Sequence, residues 1–204
     1  MARELWNLSA PVINALCVFC GSSAGLHPAY KAAALELGVL LAQLRIKLVY
    51  GGGNIGLMGT VADSCMAAGG EVVGVIPKAL LDKEHGHRGI TRLEVVATMH
   101  ERKARMASLA DGFLALPGGI GTLEELLEVM TWSQLGIHCK PVALVNVNGF
   151  FDPLLALLDH TLAEGFLLPP HRHLLIATDR PHAALDKMLA LMSRPQEQPS
   201  SLGI

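Results

Sequence analysis

Three times in this chain an apolar run of strand length ends in a cluster of small residues, mostly glycine, and a stretch with helical periodicity follows. Val12 to Cys20 runs into Gly21-Ser22-Ser23-Ala24-Gly25, Ile46 to Tyr50 into Gly51-Gly52-Gly53-Asn54-Ile55-Gly56, and Gly112 to Leu116 into Pro117-Gly118-Gly119-Ile120-Gly121-Thr122. Strands that alternate with helices form a parallel sheet covered on both faces and joined by right-handed crossovers. All three loops then leave strands at the carboxyl edge, where ligands of such sheets bind. The sequence predicts a Rossmann-like, doubly wound α/β fold whose glycine loops converge on one pocket.

The alternation continues outside these junctions. Periodicity predicts helices at Ala29 to Leu44, Leu57 to Ala68, Met99 to Ala110, Gly121 to Gly136, Asp152 to Ala163 and Pro181 to Met192. Further strands are expected at Glu71 to Ile76, Leu93 to Val96, Val142 to Asn146 and Leu174 to Ala177. Between Pro77 and about Arg92, including the HGHRG segment, the chain is polar and reads as an irregular loop of the kind that often carries function. A chain of 204 residues without a charge run or composition break is expected to form one domain over residues 1–192, with a Pro-, Gln- and Ser-rich disordered tail at 193–204.

Composition narrows the partners. A net charge of -2 argues against nucleic acid, and no apolar run approaches the roughly 18 to 20 residues that span a bilayer. The opening MARELWNLSAPVIN carries Glu4, Asn7 and Pro11 where a secretory signal needs an unbroken apolar core, so a cytoplasmic location is expected. A hydrophobic share of 51% against 17% charged residues implies apolar surface buried between subunits, hence a homodimer. On the helix Gly121 to Gly136, Leu123, Leu126, Leu127 and Met130 are expected to face the sheet, leaving Val129, Trp132 and Ile137 as a second stripe for a partner subunit.

Four cysteines are too scattered for a disulfide framework, and Cys17 and Cys20, a C-x-x-C within a strand, point to opposite faces. The pairs His85/His87 and His171/His173 lack a matching set of cysteines or carboxylates, so neither metal nor cofactor is expected.

The richest stretch is LPGGIGTLEE, Leu116 to Glu125. The first turn of a helix presents backbone N–H groups without intrahelical partners and about half a positive charge, which suits an anion. Gly118, Gly119 and Gly121 remove Cβ atoms that would hold a phosphate off the backbone, and the Thr122 hydroxyl adds a donor. One turn on, Glu124 and Glu125 diverge: Glu124 shares a solvated face with Glu128, whereas Glu125 follows the apolar stripe and is the better candidate to act on a bound ligand. A rival loop is Gly51-x-Gly53-x-x-Gly56, which fits a dinucleotide fingerprint. That reading needs an acid at the end of the next strand to hold a ribose diol, but Pro77 stands there and Glu71 lies at the wrong end.

With Gly51-Gly52-Gly53-x-x-Gly56-Leu57-Met58-Gly59, Met99-His100-Glu101-Arg102-Lys103 and Pro117-Gly118-Gly119-Ile120-Gly121-Thr122-Leu123-Glu124-Glu125, the chain resembles the LOG family from about Ala15 to Phe166. These are the cytokinin riboside 5'-monophosphate phosphoribohydrolases, once labelled lysine decarboxylases, and no lysine here sits in a pyridoxal phosphate setting. The resemblance implies hydrolysis of the N-glycosidic bond of a nucleoside 5'-monophosphate, typically an N6-substituted adenylate. Residue by residue it implies Arg102 and Glu125 as the catalytic pair, and Lys103, Gly118, Gly119, Gly121, Thr122, Glu124, Glu84 and Thr131 as substrate contacts. The alternative on the same scaffold is a non-catalytic nucleotide or molybdenum-cofactor carrier.

Overall fold

The computed structural model describes residues 13–81 and 85–192, so Glu84 and the expected tail at 193–204 lie outside the described residues. The strands are β1 Ala15–Phe19, β2 Lys47–Tyr50, β3 Val72–Pro77, β4 Arg92–Val96, β5 Gly112–Ala115, β6 Val142–Val145 and β7 Leu175–Thr178. The helices are α1 Pro28–Gln43, α2 Gly56–Ala67, α3 Lys78–Leu81, α4 Met99–Leu109, α5 Ile120–Gln134, α6 Asp152–Ala163, α7 Pro169–Arg172 and α8 Pro181–Met192. The sheet order is β4-β3-β2-β1-β5-β6-β7, with every pairing parallel. The chain winds outward from β1 to β4, returns to β5 beside β1, and winds the other way. The switch point lies between β1 and β5, the strands that feed the Gly21 and Pro117 loops.

Strand periodicity explains the two cores. Leu16, Val18, Leu48, Tyr50, Leu114 and Val145 point to the face covered by α1, α2 and α8; Cys17, Phe19, Val49, Phe113 and Leu144 point to the face covered by α4, α5 and α6. Both faces are dry, which is why the central strands are apolar throughout instead of alternating. Cys17 and Cys20 fall into opposite cores as buried free thiols. No described helix is long and apolar enough to cross a membrane.

Two expectations are corrected. The segment after Pro77 is not wholly irregular: it forms the turn α3, and Gly86 bridges back to Gly53. On α5 the inward set is Thr122, Leu126, Val129 and Met130, while Leu127 is 39% exposed. Val129 therefore belongs to the core and Leu127 to the surface, and Trp132 packs partly buried against the same core, so the expected outer stripe keeps only Ile137. The short α7 also escaped the periodic reading, because four residues opened by a proline pair give no helical repeat.

Helices α1 and α2 approach closely at Gly38, where a Cβ would lie 2.6 Å from Val61 O and 2.8 Å from Cys65 N. Ser64 fastens the pair by donating its hydroxyl to Leu35 O at 2.7 Å. Alanine at 38 gains about 1 kcal/mol of helix propensity. It meets backbone that no rotamer can move aside, and overpacking of that kind costs about 1–3 kcal/mol. Gly38→Ala is expected to lower stability by up to about 2 kcal/mol net, read as a lower denaturant midpoint at unchanged slope. An unchanged or higher midpoint would show that the helices can part without cost.

Candidate active site

Helix α5 opens at Gly119 without a side-chain cap and carries no acid in its first turn, so its amide end faces a cavity undischarged. The glycines before it differ in purpose. A Cβ on Gly118 would fall 2.1 Å from Thr122 Oγ1 and 2.8 Å from Gly21 N, so Gly118 serves the chain's own packing. At Gly119 and Gly121 a Cβ would meet no protein atom within 4 Å, and the space they leave open belongs to the cavity. Thr122 is buried at the same turn.

The rival fingerprint is occupied by the chain itself. Gly56, with φ +61°, comes so close to the β1 loop that a Cβ would sit 2.3 Å from Ser22 C. The first amides of α2, Leu57 and Met58, both donate to Gly21 O, at 3.0 and 3.3 Å. That helix end is satisfied internally, and Pro77 closes β3 at the carboxyl edge while Glu71 pairs with Lys47 at the other.

Arg102 reaches the cavity from α4. A capping box starts this helix: Thr98 Oγ1 accepts from Glu101 N–H at 3.1 Å, and Glu101 Oε2 accepts from Ala97 N–H at 2.9 Å. One turn later Arg102 is 6% exposed, and its guanidinium is tied to two strand ends. Nε donates to Val75 O at 3.1 Å and Nη2 to Gly51 O at 3.0 Å. A Cβ at residue 51 would lie 2.0 Å from Nη2, so a side chain there would displace the guanidinium from this position. The remaining nitrogen, Nη1, stands 3.8 Å from Glu125 Oε1, and both side chains are nearly buried.

Glu125 and Arg102 line one cavity of about 220 Å³ with Cys20, Gly21, Ser22, Met58, Gly119, Ile120, Gly121 and Thr122. A second lobe of about 220 Å³ shares Gly21, Ser22 and Gly119 with it and adds Tyr30, Leu57, Pro117 and Phe150. A larger cavity of about 500 Å³ lies at the amino edge of the sheet, between His138, His171 and Met192, away from the glycine loops. Cys20 supplies no nucleophile, because burial pushes its thiol far above the usual range and the Glu125 charge adds to the shift.

Of the expected contacts, Lys103, Glu124 and Thr131 do not line this cavity. Lys103 binds Glu124 and, at 2.9 Å, Glu128; the Glu124 hydrogen bond raises its ammonium above the usual lysine range. Lys103 and Glu124 thus engage each other beside the cavity, and neither lines it. Thr131, two turns down α5, is exposed and donates its hydroxyl to Leu127 O. Ser22, Met58 and the aromatic pair Tyr30 and Phe150 were not singled out. Ser22 had a signal in its small-residue loop and Met58 in the Gly56-Leu57-Met58-Gly59 motif; Tyr30 and Phe150 became visible only when the loops folded together.

Fold and site define a Rossmann-like α/β protein with an uncapped helix end and a buried arginine–carboxylate pair at its switch point. A family model described as "Possible lysine decarboxylase" matches residues 58–188. The chain is 53% identical over 167 residues to the probable cytokinin riboside 5'-monophosphate phosphoribohydrolase LOGL9 of Oryza sativa subsp. japonica, covering 81% of this chain and 74% of that one. It is 53% identical over 162 residues to the cytokinin riboside 5'-monophosphate phosphoribohydrolase LOG1 of Arabidopsis thaliana, covering 79% and 76%. The chain belongs to the LOG family. Among solved structures it shares its fold with the molybdenum cofactor binding protein of Rippkaea orientalis, with TM-score 0.66, 21% identity and coverage of 87% and 96%. The molybdenum cofactor carrier protein of Chlamydomonas reinhardtii gives TM-score 0.63, 19% identity and coverage of 86% and 98%.

Proposed function

We infer that this protein hydrolyses the N-glycosidic bond of a nucleoside 5'-monophosphate, an adenylate or its N6-substituted form, to free base and ribose 5-phosphate. The observation that carries the reading is the meeting of an uncapped α5 amide end with the buried Arg102–Glu125 pair in one cavity. The family's named activity supports it. Cleavage builds oxocarbenium-like charge on the ribose, and a carboxylate at that ring stabilises the charge and orients water. Glu125 takes that role. A guanidinium is a poor proton donor near neutral pH and offers a rigid fork of donors, so Arg102 holds ligand oxygens beside Glu125. Gly119, Gly121 and Thr122 receive the phosphate. A carrier needs phosphate binding but not a buried acid beside the bound sugar. The deciding experiment is chromatography of a nucleotide panel after incubation; a protein that binds AMP and frees base from none of the panel is a carrier.

The same reading includes a homodimer in the cytoplasm. Helix α6 is rich in leucine yet buries no residue, and Leu127, Leu135, Ile137 and Leu157 are exposed on its side of the sheet. So much apolar surface on one face is what a twofold interface covers. Light scattering at micromolar concentration is expected to give twice the chain mass, and a monomer mass would end this part of the proposal.

A further inference from the structure

Among the described residues the only buried histidine is His87, and nothing assigned above uses it. Its Nδ1 accepts from Gly89 N–H at 3.2 Å, which places the proton on Nε2, 2.8 Å from Asp63 Oδ1 on α2. The ring is fixed at both nitrogens. The backbone beside it then grips the second glycine loop: His87 N–H donates to Gly52 O at 2.8 Å, and Asn54 N–H donates to His85 O at 3.1 Å. From the other side the loop rests on β3, where Gly74 leaves the room, since a Cβ there would lie 2.7 Å from Gly52 Cα. The peptide adjoining this grip ends in the Gly51 carbonyl, which holds Arg102 Nη2.

Among the contacts that orient the Arg102 guanidinium are two backbone carbonyls. Val75 O belongs to a sheet strand and is rigid, whereas Gly51 O lies on a loop of three successive glycines that has little stiffness of its own. We propose that Asp63 and His87 are positioning residues: they latch the 85–89 loop to α2, and that loop sets the Gly51 carbonyl that aims Arg102 at Glu125. The inference rests on the reading of Arg102 and Glu125 as the hydrolytic pair. Neither Asp63 nor His87 lines the Arg102–Glu125 cavity, so the latch acts through the alignment of Arg102 and not by touching the ligand.

Asp63 is the residue to change, because its side chain is 66% exposed and its loss leaves the core packed. Asp63→Ala is expected to lower kcat for AMP on the order of tenfold, with KM changed less than about twofold. Asp63→Asn keeps an acceptor for the His87 proton and is expected to return most of that rate. In an Arg102→Ala background Asp63→Ala should cost nothing more, since the group it aims is gone. A readout apart from turnover is the ¹⁵N–¹H signal of Arg102 Nε, identified by its absence in Arg102→Ala, which should move and exchange faster with solvent in Asp63→Ala. An unmoved signal, an unchanged kcat, or Asp63 and Arg102 effects that multiply would each overturn the proposal. If the unmodified protein frees base from no nucleotide, the functional reading fails, while the Arg102 signal still decides the latch.

Discussion

Replacing Glu125 by glutamine is expected to leave AMP bound and to slow release of free base by at least about a hundredfold, the scale seen when one transition-state stabilising group is removed. The exchange keeps the size of a side chain that is only 12% exposed and stands 3.8 Å from Arg102 Nη1, so the cavity keeps its shape and loses its negative charge. Charge matters most where the ribose turns cationic, in the transition state, so the loss falls on kcat. Arg102→Ala is expected to impair binding and turnover together, because it removes ligand contacts and frees the Gly51 and Val75 carbonyls of their shared donor. Glu124→Gln is the control. Its carboxylate is half exposed and tied to Lys103, which retains Glu128 when Glu124 is neutralised, so only a small effect on the chemical step follows. Near-normal turnover in Glu125→Gln, with abolition in Glu124→Gln, would reverse the two roles.

Much of this arrangement was legible in the sequence. Strand–glycine–helix junctions dictate a parallel sheet, and the one-residue step from Glu124 to Glu125 turns a side chain by about 100° on a helix, which separates the two carboxylates. What could not be read were relations set by tertiary contact. Lys103, a substrate contact that the resemblance implies, hydrogen-bonds Glu124 and Glu128, both contributed by another helix, and spacing alone does not show that pairing. Leu127 and Val129 exchanged faces because periodicity fixes a stripe only to within a residue or so. The glycines of the second loop looked like a nucleotide fingerprint. Their work is internal: Gly51 admits Arg102, Gly52 packs on β3 with φ +78°, and Gly56 admits the β1 loop.

Removing the substrate's phosphate is expected to cost as much as replacing any single side chain, Glu125 included. The anion would rest on the first amides of α5 and the Thr122 hydroxyl, among the described residues the only glycine-loop helix end that neither a side chain nor another carbonyl caps. A hydrogen bond to a charged partner contributes about 1.5–3 kcal/mol, so two or three of them amount to about 3 kcal/mol or more, on the order of a hundredfold or beyond in kcat/KM. Part of that loss should appear in kcat, because a nucleoside held only by its base and sugar does not keep the glycosidic carbon against Glu125. Adenosine compared with AMP at matched concentration, read as free adenine, tests this directly. Added inorganic phosphate sharpens it, since an ion filling the vacated loop should leave adenosine slow while competing with AMP. Comparable turnover of the two substrates would mean that the loop holds no phosphate during catalysis, and the assignment of Gly119, Gly121 and Thr122 would fall with it.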